Sequence, residues 1–474
     1  MYDASFSKNS KWVITKHAGG KTKVWESASG KLYDFLKDEI NIRYATFSPD
    51  SKWIITINTD GNTKIWEVES GEIPDFLKGE ISIFNASFSP DGKWIITTYT
   101  DLTAKVWKVA TGDIPDFLKD ESRIHNASFS PDSTWIITSN MGGIAKIRGA
   151  ASGKMYDFLK NETNINAASF SPDNKWIITT NMDRKAKVRK ATSGKMPDYL
   201  KDETNIVFAS FSQDSKWIIT THPDGKVKVW DTVSGKIPDF LKDEVNVNVA
   251  SFSPDSKWII TRNTDGKAKV RETISGKIPD FLKDEINIYS ASFSPDSKWI
   301  LTRNTDGKAK VWEAASGETH DFLKNELNIE YNYTVFSPDS KWIITTNADG
   351  KVKVWEVASG KIPDSLKDKI NVRYATFSPD SKWIILRNAD GKTSVYEIKS
   401  GKIHDFLKDE INIYDATFSP DSKWIITITT DRKGKIWETA SGRMLNFIKD
   451  KINMYDVYFS QDEKNFGNQI KIFS

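Results

Sequence analysis

The chain has no cysteine among its 474 residues. This absence excludes disulfide bonds, thiol chemistry and cysteine-ligated zinc. Long apolar runs are missing as well, because stretches such as Trp-Ile-Ile-Leu at 383–386 are far too short to span a bilayer. The first residues, Met-Tyr-Asp-Ala-Ser-Phe-Ser-Lys, contain no apolar leader core. We therefore expect a soluble, cytoplasmic protein without a membrane partner.

Neither sign of charge is in excess, since 67 basic and 64 acidic residues give a formal net charge of +3. A nucleic-acid binder normally has a strongly basic domain or stripe, so we do not expect a nucleic-acid partner. Histidine is scarce: the five residues His17, His125, His222, His320 and His404 show no metal-ligand spacing. No Gly-x-Ser-x-Gly elbow and no phosphate-binding glycine loop is present. The sequence thus predicts neither an enzyme nor a bound cofactor.

Tryptophan, in contrast, recurs at a fixed interval. Eight tryptophans from Trp12 to Trp299 follow one another at steps of 41 residues, and Trp342, Trp383 and Trp424 continue the series after one interval of 43. A period of this length indicates one supersecondary unit copied many times. When most positions are repeated, functional residues have to be sought where the copies differ.

Each copy has the pattern of an all-β unit. In residues 286–326, a β-prone run ending in Ser-Phe-Ser is closed by the turn Pro295-Asp-Ser. Lys-Trp-Ile-Leu-Thr forms a second strand, Asp306-Gly a hairpin, and Lys-Ala-Lys-Val-Trp-Glu an alternating third strand. The segment His320-Asp-Phe-Leu-Lys fits a short outer strand by its place in the period, although the same letters could begin a helix. The sequence therefore predicts four-stranded blades.

These residues resemble the WD-repeat β-propeller family. The resemblance lies in Phe-Ser-Pro-Asp-Ser, the Thr that ends the second strand, the Asp-Gly hairpin and Lys-Val-Trp-Glu followed by Ser-Gly, and it covers nearly the whole chain. The family's Gly-His is missing, and a Lys-Trp pair is added at the start of the second strand. We expect this added Trp to bury apolar area between neighbouring blades. Arg148, Arg189 and Arg271 replace the third-strand aromatic; we interpret them as solvated substitutions, the alternative being a locally basic sector.

The resemblance implies a propeller fold for the whole chain. We count eleven repeats of about 41 residues over 1–450 and a truncated twelfth repeat, continuous with the propeller, over 451–474, where Asn465 stands at the Trp position. No linker divides the chain, and near-identical copies favour one large ring over two. Because the chain begins almost at the first strand, no spare strand is available to complete a last blade. Closure by packing alone, an open ring and a dimer all remain possible readings of the sequence.

The copies differ mainly at two places, in the first strand and directly after the Thr of the second strand. In WD-repeat proteins such positions tend to face one end of the ring and to contact partners. The alternative is drift at solvated positions. Carried over by position, the resemblance implies these partner-binding candidates: Arg43, Tyr44, Arg262, Arg303, Arg373, Tyr374, Arg387 and Tyr414. Arg and Tyr are enriched among binding hot spots.

Two functions follow from this reading. The first is a non-catalytic scaffold that binds protein or peptide partners through one face of the propeller. The alternative is the binding or processing of a small molecule or glycan in a central channel. Fold by itself does not decide between them.

Overall fold

The computed structural model describes residues 3–17, 21–74, 77, 83–101, 103–113, 124–140, 144–156, 165–181, 186–191, 193, 206–236, 247–265, 268–277, 288–304, 308–320, 323, 334–346, 352–363, 366, 372–388, 392–408, 410, 412–430 and 434–445. Within them, the chain forms eleven antiparallel sheets whose strands are paired in sequence order. We number these sheets 1 to 11 along the chain. The predicted truncated repeat at 451–474 lies outside the described residues.

The first six sheets have the following strands. Sheet 1 contains β1 (Asp3–Phe6), β2 (Trp12–His17), β3 (Lys21–Glu26) and β4 (Leu32–Tyr33); sheet 2 contains β5 (Ile42–Phe47), β6 (Trp53–Asn58) and β7 (Thr63–Glu67); sheet 3 contains β8 (Ile83–Phe88), β9 (Trp94–Tyr99) and β10 (Ala104–Lys108). Sheet 4 contains β11 (Ile124–Phe129), β12 (Trp135–Asn140), β13 (Ala145–Gly149) and β14 (Met155–Tyr156); sheet 5 contains β15 (Ile165–Phe170), β16 (Trp176–Asn181) and β17 (Ala186–Lys190); sheet 6 contains β18 (Phe208–Phe211), β19 (Trp217–Thr221) and β20 (Val227–Asp231).

The remaining five sheets repeat the pattern. Sheet 7 contains β21 (Val247–Phe252), β22 (Trp258–Asn263) and β23 (Ala268–Glu272); sheet 8 contains β24 (Ile288–Phe293), β25 (Trp299–Asn304), β26 (Ala309–Glu313) and β27 (Thr319–His320); sheet 9 contains β28 (Val335–Phe336), β29 (Trp342–Thr346) and β30 (Val352–Glu356). Sheet 10 contains β31 (Val372–Phe377), β32 (Trp383–Asn388), β33 (Thr393–Glu397) and β34 (Ile403–His404); sheet 11 contains β35 (Ile413–Phe418), β36 (Trp424–Thr429), β37 (Gly434–Glu438) and β38 (Met444–Leu445).

The outer strand is shorter than the sequence predicts. The described outer strands have two residues each and end before the Asp-Phe-Leu segment, as Thr319–His320 does in sheet 8. In Asp34–Leu36 and Asp405–Leu407 that segment is a 3-10 helix. In the predicted outer strand over His320-Asp-Phe-Leu-Lys, residues 321, 322 and 324 lie outside the described residues. In the equivalent segments of sheets 1 and 10, the prediction of a strand over Asp-Phe-Leu is wrong. Asp accepts local hydrogen bonds that compete with strand pairing, and Leu36 turns inward to become buried. Within the described residues, five sheets have four strands and six have three.

The turn between the first two strands is built by local hydrogen bonds. In sheet 2, Ser48 Oγ donates to Asp50 Oδ1 at 2.5 Å and accepts from the Trp53 backbone N–H at 2.9 Å. Ser51, which closes this turn, has a φ of 63° in the left-handed region. This conformation is uncommon for a residue with a side chain, so another contact has to hold the serine in place.

That contact joins neighbouring repeats. Ser256, at a φ of 61°, accepts a hydrogen bond from the Asp214 backbone N–H of the preceding repeat at 3.1 Å. The same bond links Asp173 to Ser215, Asp255 to Ser297, Asp296 to Ser340 and Asp339 to Ser381. The serine of the turn therefore satisfies a donor on the neighbouring sheet, which explains why serine recurs where glycine would fit the backbone better.

The added Trp of the second strand packs against the next sheet. Trp12 lies in one apolar cluster with Trp66 of sheet 2, and Trp258 packs against the cluster that contains Trp312 of sheet 8. The expectation that this residue buries area between repeats fits these clusters. Rings of this size bury roughly 150–250 Å² each, so the added Trp contributes a large apolar contact between these repeats.

The chain forms two compact units, one of residues 1–101, 105–114 and 411–474 and the other of residues 102–104 and 115–410. In the first unit, sheet 11 packs directly on sheet 1. Trp424 clusters with Phe6 and Trp25, and the Asp421 backbone N–H donates to Ser10 Oγ at 3.1 Å. These are the same two contacts that join consecutive repeats, and the described strands of each of these two sheets are consecutive in sequence. The arrangement as a single ring involves both units and stays a prediction.

Candidate interaction surface

A β-bulge interrupts the first strand of most sheets. In eight sheets the pairing between the first two strands skips one residue, namely Arg43, Phe84, His125, Asn166, Asn248, Tyr289, Arg373 or Tyr414. A β-bulge bends its strand locally. Three of the predicted partner-binding residues, Arg43, Arg373 and Tyr414, therefore occupy one equivalent position, at the bulge.

The residue after the bulge pairs with the residue that follows the recurring Thr of the second strand, which is replaced by Leu386 in sheet 10. Tyr44 lies opposite Ile57, Ser290 opposite Arg303, and Tyr374 opposite Arg387. The two variable places of the sequence are thus cross-strand neighbours. In such pairs the two Cβ atoms lie roughly 4.5–5.5 Å apart. We call each such pair, together with its bulged residue, the variable row of its sheet.

The predicted residues of the first unit are exposed. Arg43 lies on the surface, Tyr44 is 48% exposed and Tyr414 is 51% exposed. Lys16 of sheet 1 lies over the Tyr44 ring, with Nζ 5.4 Å from its centroid, and the Lys16 side chain is itself buried. Cations are attracted to the negative face of an aromatic ring. Tyr44 is therefore held at the surface by a neighbouring repeat.

The second unit contains the other predicted residues, all of which are half-buried where their side chains are described. Arg387 lies over the ring of its cross-strand partner Tyr374, with Cζ 5.3 Å from the centroid. Arg303 donates from Nη2 to the carbonyl oxygen of Thr334 at 3.3 Å, at the start of sheet 9. Arg262 has the equivalent place in sheet 7, opposite Val249. The side chain of Arg373 lies outside the described residues.

Beneath the variable rows, a buried hydrogen bond joins the second and third strands. It runs from the indole Nε1–H of the third-strand Trp to the hydroxyl of the conserved Thr, with N···O distances of 2.8–3.1 Å in the pairs Trp25–Thr15, Trp66–Thr56, Trp107–Thr97, Trp230–Thr220, Trp312–Thr302, Trp355–Thr345 and Trp437–Thr427. The hairpin carboxylates described, such as Asp60 and Asp265, are exposed instead. The part of the family's hydrogen-bonded set that the described residues show is therefore the bond between its Thr and Trp members.

Three repeats extend this pair with a residue that sequence reasoning missed. His17 Nε2 lies 2.9 Å from Thr15 Oγ1, His222 Nε2 lies 3.3 Å from Thr220 Oγ1, and the Tyr99 hydroxyl lies 3.2 Å from Thr97 Oγ1. Each lies two residues after its Thr, which was the available signal, because such residues share one face of a strand. Burial, aided by the nearby Lys23 and Lys21, lowers the pKa of His17 to about 3. A neutral ring can accept the Thr15 hydroxyl proton while Thr15 accepts from Trp25.

The arginines that replace the third-strand aromatic are not solvated. Arg148 and Arg271 are each only 6% exposed, and Arg189 is half-buried, with desolvation lowering the pKa of its guanidinium. Our interpretation as solvated substitutions is therefore wrong for Arg148 and Arg271. The long aliphatic stem of an arginine can fill the space of an aromatic ring while its head reaches polar atoms.

Neither metal nor membrane chemistry is indicated by the described part of the chain. No group of three or more His, Asp or Glu side chains there could hold a metal ion. No described helix is long and apolar enough to cross a bilayer. Nothing in the described residues favours the alternative of small-molecule or glycan processing.

Tandem antiparallel sheets, seven of them with a Trp–Thr bond between their second and third strands, define a protein built of repeated β-blades. A family model described as "WD domain, G-beta repeat" matches residues 36–67, 76–108, 154–189, 200–231, 282–313, 332–356 and 402–438. The chain belongs to the WD-repeat family, as its sequence predicts, and its fold is all-β. Proteins of this family generally mediate protein–protein interaction and are typically non-catalytic.

Comparison with curated proteins gave no match. Among solved structures, "Crystal structure of the eukaryotic initiation factor" is 16% identical, covers 67% of this chain and 86% of its own, and has a TM-score of 0.41. The computationally designed Ika8 protein is 19% identical, with 67% and 96% covered and a TM-score of 0.33. Similarities at these scores are distant.

Proposed function

We propose that the protein is a non-catalytic scaffold that binds protein or peptide partners through its variable rows. The observation that supports this proposal most directly is the register of the sheets. It pairs the two places at which the copies differ and puts them beside a bulge. Drift at unrelated solvated positions would not require the two places to be neighbours. A patterned surface on a constant framework is what a binding scaffold needs.

The residue types in the variable rows also suit an interface. Tyr44 and Tyr414 present amphipathic rings that are about half exposed. Tyr and Arg supply large contact area, and Arg adds directed hydrogen bonds, which is why both types are enriched among hot spots. In Tyr374 and Arg387, stacking restricts both side chains before any partner binds. Such pre-ordering lowers the entropy cost of association.

The proposal can be tested by affinity capture with a triple variant of the second unit, Arg303→Ala, Arg373→Ala and Arg387→Ala. We expect this variant to lose most of the protein partners that the wild type captures. Its matched control is Lys298→Ala, Lys341→Ala and Lys382→Ala, which removes the same charge from lysines whose side chains are 74%, 75% and 73% exposed at the outer turns. If both triple variants capture the wild-type set of partners, the variable rows of the second unit are not the interface.

A further inference from the structure

An open cleft of about 430 Å³ lies between sheets 2 and 3 of the first unit. Ligand pockets in proteins typically measure roughly 300–1,000 Å³, so this cleft is large enough to hold one side chain of a bound peptide and part of the residues on either side of it. Its walls are mainly apolar and include Tyr44, Phe47, Ile55, Ile57, Ala86 and Phe88. Ile55 is 1% exposed and Phe47 7% exposed, so the floor belongs to the packed core.

The equivalent place in sheet 8 is occupied differently. Ile57 and Arg303 have the same position in their sheets, each directly after the recurring Thr and opposite the residue that follows the first-strand bulge. Arg303 reaches across to the Thr334 carbonyl of the next sheet. Ile57 packs instead, with Ala86 and Phe88, on the apolar cluster that sheets 2 and 3 share. The wall of the cleft therefore has an aliphatic side chain where sheet 8 has an arginine that reaches the next sheet.

The residues that line the cleft carry no charge. Asp50 directly follows Pro49 at one end of the lining, and positive charge lies at the Tyr44 end. Lys16 lies against the ring of Tyr44, and Arg43 is exposed on the bulge directly before Tyr44. A partially desolvated cation beside an apolar wall favours an anionic group placed next to an apolar one.

We propose that this cleft binds a peptide segment in which an apolar anchor side chain is flanked by Asp or Glu. The inference rests on the proposed scaffold function and specifies the chemistry of one partner. The anchor side chain fills the space between Ile57 and Phe88. The flanking carboxylate meets the positive charge of Lys16 and Arg43 at the Tyr44 end.

The probe for this proposal is the fluorescein-labelled peptide Asp-Glu-Leu-Phe-Glu-Asp, whose binding is followed by fluorescence anisotropy. We expect saturable binding to the wild-type chain and at least tenfold weaker binding to Tyr44→Ala. Phe208→Ala is the matched control, because Phe208 is 54% exposed, lies opposite Thr221 as Tyr44 lies opposite Ile57, and does not line the cleft. This control variant should bind as the wild type does.

A second variant separates the cleft from general electrostatic attraction. Ile57→Arg introduces the residue that the chain itself has at Arg262, Arg303 and Arg387, so the sheet is expected to fold. Filling the cleft should abolish binding of the peptide, although the substitution adds a positive charge. Binding that becomes tighter in Ile57→Arg would overturn the proposal, since attraction alone would then explain it.

Two further outcomes also decide. If the peptide Lys-Lys-Leu-Phe-Lys-Lys or free N-acetyl-leucinamide binds as tightly as the acidic probe, the acidic specificity is wrong and the proposal fails. If both cleft variants bind the probe like the wild type, or if the wild-type chain does not bind it, the cleft is not the site. The capture experiment with the arginine triple variant is independent of these outcomes, so a failure of the cleft can be told from a failure of the scaffold function.

Discussion

Replacing Thr302 by Val should destabilise the protein, whereas the same change at Thr261 should not. Both threonines are fully buried and have the same place in the second strand of their sheets, two residues before its end. Thr302 Oγ1 accepts the Trp312 indole N–H at 2.8 Å, whereas the Thr261 hydroxyl has no hydrogen-bond partner, because Arg271 stands at the Trp position. Valine keeps the branched shape and removes only the hydroxyl. The two substitutions are therefore matched in size, burial and place.

The expected magnitudes follow from which polar group is left unpaired. In Thr302→Val the buried Trp312 donor loses its acceptor, which costs about 1–3 kcal/mol of unfolding free energy. In Thr261→Val an unsatisfied buried hydroxyl disappears, so the change lies between zero and a gain of roughly 1 kcal/mol. Since repeat arrays can unfold in steps, urea unfolding should be complemented by hydrogen exchange on peptides from sheets 7 and 8. Equal destabilisation by both variants would refute the role of the Trp–Thr bond.

Three further predictions concern the same framework. The folded-state pKa of His17 is lowered from 6.5 to about 3, so the unfolded chain binds more protons than the folded chain between these pH values. The free energy of unfolding should therefore fall as pH drops from 6.5 towards 3, by up to about 1.4 kcal/mol per pH unit. His17→Gln should remove this contribution to the pH dependence of urea unfolding. Arg271→Trp should form the indole-to-hydroxyl hydrogen bond with Thr261 and raise the free energy of unfolding by about 1 kcal/mol in urea unfolding. The additional change Thr261→Val should cancel this gain. Ser10→Ala removes the acceptor of the Asp421 backbone N–H, which water can reach, and should cost about 0.5–1.5 kcal/mol in urea unfolding.

The blade pattern could be predicted from the sequence because it depends on local chemistry. The turn after Phe293 follows from proline and from side chains that bond their own backbone, and the strand around Val311 follows from alternation. The family resemblance then supplied the Trp–Thr framework. These features need no knowledge of what lies across a sheet.

The candidate site was predictable only as a set of positions. Tyr374 and Arg387 are neighbours because the bulge at Arg373 shifts the register of the two strands. No residue pattern in the first strand indicates this bulge. The burial of Arg271 was missed because it depends on the space that a neighbouring sheet leaves. The cleft beside Ile57 was missed for the same reason, because its walls come from two neighbouring sheets.

The alternation of the second strand explains how one framework can present many surfaces. Adjacent residues of a strand point to opposite faces, so the side chain of Thr302 turns to the Trp312 bond while that of Arg303 turns to the next sheet. A change in the variable row therefore does not touch the buried bond one residue away. The copies can differ at Ile57, Arg303 and Arg387 without a change in the fold, and this separation makes a loss of binding in row variants interpretable as a loss of contact.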